Sequence, residues 1–152
     1  MSFTARLAEL GLSIPAVAKP VASYVPATTA GSLVFTAGQL PFVDGQLPET
    51  GKVGTEVSAE DAKAHARTAV LNALAAVETA IGSVDRITRI VKLVVFVASA
   101  PDFAGQPGVA NGASDTLVEI FGDAGRHARS AVGVAVLPLD APVELELIVE
   151  FE

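Results

Sequence analysis

An α/β sandwich is the fold this sequence predicts. Three observations point to it: segments of strictly alternating polarity, a long alanine-striped segment of helical period, and their order along the chain. That order reads two strands, helix, strand, helix, two strands. With 152 residues the chain has the length of one domain and enough material to bury a sizeable core.

Thr4 to Leu10 reads as a short amphipathic helix containing Arg6 and Glu9, without the apolar core of a secretory signal. Ser32 to Ala37 alternates as a strand, which Gly38 and Pro41 stop; Asp44-Gly45 marks a turn and Pro48 to Gly54 a loop. Ser58 then opens the strongest helix. It stands as N-cap with Asp61 three positions on, Glu60 complements the helix dipole, and Gly82 follows the last turn. Ala62, Ala66, Ala69, Ala73, Val77 and Ile81 form its buried stripe, and so much alanine implies close packing on a sheet. Ile87 to Ala98, rich in Val and Ile, reads as a strand buried on both faces. A second helix is expected from Val109 to Phe121, ended by Gly122.

The last two strands carry the chemistry. From Ala128 to Leu137, alternation puts Ser130, Val132, Val134 and Val136 on one face and Arg129, Ala131, Gly133, Ala135 and Leu137 on the other. Arg129 therefore projects among small neighbours that leave volume for a guest. A guanidinium is a permanent cation with a rigid fork of donors, suited to a carboxylate or phosphate. Val143 to Phe151 also alternates, with Glu144, Glu146 and Glu150 between apolar residues. A hairpin across Leu139 and Asp140 would match the apolar faces, with Val134 opposite Leu145. Arg129 and Glu144 would then share a face about 20 Å apart, too far to act on one small molecule. A different strand pairing or a neighbouring subunit is required.

The tail from Ala128 to Ile148, reading A-R-S, an alternating strand, L-P, then V-E-x-E with an apolar run, resembles the RidA (YjgF) family of reactive intermediate deaminases. Leu33 to Pro41, L-V-F-T-A-G-Q-L-P, is similar to the family's strand ending in T-S-G-Q-x-P. Asp102 to Ser114 resembles its D-F-x-x-x-N approach to the second helix, and Tyr24 falls where its N-terminal segment carries a tyrosine. Residues 1–22, an N-terminal extension of the single domain 1–152, and the Gly-Gln-Pro-Gly insertion before Asn111 mark a longer, divergent subgroup. The resemblance implies a chorismate-mutase-like architecture: two helices on one face of a mixed sheet, assembled as a homotrimer with sites at subunit boundaries. It also implies hydrolysis of short 2-imino acids, formed from enamines such as 2-aminoacrylate, to 2-keto acids and ammonia without a cofactor. Arg129 would bind the substrate carboxylate, Glu144 would handle water and protons, and the backbone N–H of Ala131 would donate near the reacting centre. Asn111, Tyr24 and Gly38 complete the implied site. Many deaminase members carry cysteine where this chain has Ala131 and serine where it has Ala37, so a non-catalytic trimer binding small carboxylates is the competing reading.

Composition narrows the alternatives. At 51% hydrophobic and 18% charged, the chain is apolar enough that surface burial between subunits is expected. A net charge of −7, with cations scattered and aromatics few, opposes nonspecific nucleic-acid binding and gives a ribonuclease reading little support. The run Ile90 to Ala98 is interrupted by Lys92 and too short to span a bilayer, so no membrane association and a cytoplasmic location are expected. The absence of cysteine removes disulfides and thiol chemistry. His65 and His127 lack the spacing of metal ligands, and His127 reads as a strand-edge or pocket-rim residue. Gly51 to Gly54 lacks the Lys-Ser/Thr that a phosphate-binding loop would place after it.

Overall fold

The computed structural model describes residues 2–17 and 23–152. A short helix α1 (Phe3–Glu9) is followed by strands β1 (Ala27–Ala30) and β2 (Leu33–Thr36), helix α2 (Ala59–Ile81), strand β3 (Ile87–Ala98), helix α3 (Gln106–Phe121), and strands β4 (Ala128–Val134) and β5 (Val143–Phe151). The five strands form one mixed sheet in the order β1-β2-β5-β3-β4. Within it β4 runs parallel to β3, and the other pairs are antiparallel.

Helix α2 begins and ends as its sequence requires. Ser58 Oγ accepts from Asp61 N at 3.0 Å, Glu60 and Asp61 stand in the first turn, and Gly82 closes the helix at φ 88°. Its alanine stripe is fully buried against the inner face of the sheet, where Val34, Leu93, Val95, Leu145, Leu147 and Val149 meet it. Helix α3 starts three residues earlier than the sequence reading, at Gln106, because Pro107 occupies the first turn, where its missing N–H costs nothing. The amino-terminal helix is fastened to this body. Thr4 N and Oγ1 each donate to the Asp85 carboxylate at 2.8 Å, and Phe3 packs edge-on against Phe121.

The strands pair differently from a hairpin across Leu139 and Asp140, as the distance between Arg129 and Glu144 requires. Both β4 and β5 pair with β3, one on each side, so the segment through Leu139 and Asp140 crosses over rather than turning back. Those two residues take left-handed backbone, φ 58° and 55°, within the turn Pro138–Asp140. Consequently the apolar Val132 face of β4 is not core: Val132 is 45% exposed. Strand β3 is likewise buried on one face rather than two. Leu93, Val95 and Val97 point under the helices, while Val94 and Phe96 lie half-buried on an uncovered face with Phe35, Ile148 and Val132.

Candidate functional site

Register decides where the two chemically active strands aim their side chains. Arg129 is paired with Leu93 and Ala131 with Val95, so both lie on the helix side of β4. Glu144 is paired with Phe96 and therefore lies on the uncovered side. Within one chain Arg129 and Glu144 are three positions apart along β3, from Leu93 to Phe96, and on opposite faces. The shared face that a hairpin would give is absent, because β3, inserted between the two strands, resets their relative register.

Two separate groups result. On the helix side, Arg129 Nη1 donates to Asn111 Oδ1 at 2.8 Å and to Ser114 Oγ at 3.1 Å. Ser114 Oγ lies 2.9 Å from His127 Nε2, and His127 Nδ1 lies 2.6 Å from the Gly125 carbonyl. Among the described residues no carboxylate forms an ion pair with Arg129, so its charge is available to a ligand. The small neighbours on its strand leave less empty volume than the alternation implies. Ala131 packs against the core, and a Cβ at Gly133 would crowd the side chain of Gln106.

On the uncovered side, Glu144 sits over Gly38. A Cβ at Gly38 would overlap Glu144 Oε1, so the glycine is needed for close approach by the carboxylate rather than for turn geometry. Gln39 bridges to the same strand through paired backbone hydrogen bonds with Leu145, which fixes Gly38 beside Glu144. Burial raises the Glu144 pKa above its ordinary value, and the neighbouring Glu146 carboxylate adds to that rise. A carboxyl held in this way binds its proton more tightly than a solvated one.

Sequence-derived candidates thus fall into Arg129 with Asn111 and Ala131, and Glu144 with Gly38. Tyr24 is 50% exposed ahead of β1 and makes no hydrogen bond to either group. Ser114 and His127 are additions, and both carried a signal. Ser114 lies three positions from Asn111 on one helix face, and His127 lies two positions from Arg129 along an extended segment.

A mixed sheet covered on one side by two helices is the architecture of a known class of small α+β proteins. The chain belongs to the family described as "YjgF/chorismate_mutase-like, putative endoribonuclease", whose model matches residues 4–151. It is similar to Protein TCP17 of Trypanosoma cruzi, 44% identical over 147 residues that cover 96% of this chain and 92% of that protein. The crystal structure of Atu1372 from Agrobacterium tumefaciens, a protein of unknown function, superposes with a TM-score of 0.91 at 43% identity, covering 99% of this chain and 92% of the other. E. coli TdcF with bound serine superposes with a TM-score of 0.65 at 29% identity, covering 90% and 94% of the two chains.

Proposed function

We propose that this protein hydrolyses reactive enamine and imine intermediates, short 2-imino acids such as those derived from 2-aminoacrylate, to 2-keto acids and ammonia. The observation that carries the reading is the pair of half-sites: an arginine free of carboxylate partners on one face and a proton-binding glutamate on the other. Within one chain the two lie on opposite faces of the sheet. A homotrimer would complete both, by laying the uncovered face of one subunit against the edge of the next. Phe35, Phe96 and Val132 supply the apolar surface for that contact.

In the assembled site Arg129 binds the substrate carboxylate and fixes the imine carbon. Glu144 of the adjoining subunit takes a proton from water as it adds to that carbon, and returns a proton to nitrogen as the carbon–nitrogen bond breaks. The serine bound by TdcF is a small carboxylate-bearing molecule, which agrees with the ligand class assigned to Arg129. Ala131 and Ala37 bring no side-chain nucleophile, so the chemistry falls to Glu144 and water.

The test is ammonia release from freshly generated 2-iminobutanoate, together with calorimetry using 2-ketobutyrate. Glu144→Gln should lose about 10²- to 10⁴-fold in turnover while keeping most keto-acid affinity. Arg129→Lys should lose affinity, since the ammonium keeps the charge but not the fork. Wild-type turnover no faster than the uncatalysed reaction, with keto-acid binding intact, would favour the carboxylate-binding trimer instead.

A further inference from the structure

We propose that Ser114 and His127 are positioning residues for Arg129, a hydroxyl–imidazole couple that occupies one guanidinium nitrogen and so presents the Nε–Nη2 edge to a planar carboxylate. The inference rests on the reading of Arg129 as the carboxylate-binding group, and it specifies how that group binds.

Proton accounting fixes the direction of each hydrogen bond. The Gly125 carbonyl only accepts, so His127 Nδ1, 2.6 Å away, must carry the proton. In the neutral ring Nε2 is then the acceptor, and the hydroxyl of Ser114 donates to it across 2.9 Å. With its proton committed to His127, the Ser114 oxygen turns a lone pair toward Arg129 and accepts from Nη1 at 3.1 Å. Asn111 Oδ1 takes the second Nη1 proton at 2.8 Å. Both Nη1 protons are therefore used within the protein. Among the described residues Nε and Nη2 make no hydrogen bond, and these two nitrogens lie along one side of the guanidinium plane with parallel N–H vectors. A carboxylate meets them side-on with both oxygens. Because Asn111 and Ser114 belong to one turn of α3, the guanidinium cannot rotate without breaking two bonds at once.

Calorimetry with pyruvate and nitrogen NMR of the ¹⁵N-labelled full chain test the couple together. Ser114→Ala and His127→Leu should each weaken pyruvate binding about tenfold, the scale of one hydrogen bond to a charged group. Ser114→Thr and His127→Gln retain a hydroxyl and an acceptor, and should hold affinity near wild type. In the unliganded wild type, the neutral His127 ring should be the Nδ1–H tautomer, identified by its loss in His127→Gln. Wild-type affinity in both Ser114→Ala and His127→Leu would overturn the positioning role, as would an Nε2–H tautomer. If the wild type binds no keto acid, the function proposed above fails. The tautomer still decides the couple in that case: Nδ1–H supports it and Nε2–H refutes it.

Discussion

Gly38 has no side chain, and Glu144 uses the space this leaves. The atom that a Cβ would overlap is the far end of a flexible side chain, so Gly38→Ala should be absorbed by moving the carboxylate rather than by distorting the sheet. The expected outcome is a thermal midpoint close to wild type with turnover reduced by about 10²-fold, the effect of an ångström-scale misplacement. Parallel scanning calorimetry and ammonia-release assays check it, and a large drop in both would assign Gly38 to the fold instead. The raised Glu144 pKa also has a consequence for stability. The folded chain holds this proton more tightly than the unfolded chain does, so the group favours folding below its ordinary value of 4.5, and the advantage is lost as pH rises through the raised value. Glu144→Gln should therefore be more stable than wild type near about pH 7, with the difference vanishing near about pH 4. An unchanged midpoint at both values would mean that the carboxyl is hydrated in the folded protein.

Helices α2 and α3 meet through residues small enough to let backbone approach backbone. Gly112 is the tightest of these points: a Cβ there would overlap the carbonyl oxygen of Lys63, which belongs to a helix and cannot swing aside. Overpacking at such a contact costs about 1–3 kcal/mol, and Gly112→Ala should lose that much in chemical denaturation. Since Asn111 and Ser114 flank Gly112 on the same helix, any outward shift of α3 also carries them away from Arg129. The variant should lose keto-acid affinity along with stability, whereas an equally destabilising substitution in α1 should lose stability alone.

At the scale of the whole molecule, the helices cover one face of the sheet and leave the other bearing Phe35 at 37% exposure and Val132 at 45%. On the proposed function, such a face, in a chain with 51% hydrophobic residues, is buried between copies of the chain. Light scattering should return the mass of three chains. Val132→Asp places a charge on this face and should release monomers that retain their secondary structure by circular dichroism and lose turnover. A wild type that runs as a monomer at assay concentration while remaining active would rule out sites shared between subunits.

What the sequence determined by itself is local. Ser58, the alanine stripe and Gly82 define α2, and the alternation of Val143 to Phe151 defines β5, because capping and side-chain period act over a few residues. The same period separates Arg129 from Val132 on β4, and the D-F to N-G-A-S stretch carries Asn111 into the site. The tertiary structure alone decided which strands pair. A β4–β5 hairpin matches apolar faces as well as the observed order does, and local pattern does not distinguish the two. The α3 crossover settles the matter by returning the chain parallel to β3, which sends β4 to the sheet edge and β5 to its centre. That choice sets Arg129 and Glu144 on opposite faces. It also brings Ser114 to His127, 13 positions away, and to Arg129, 15 positions away, since β4 must pass beneath the helix that precedes it.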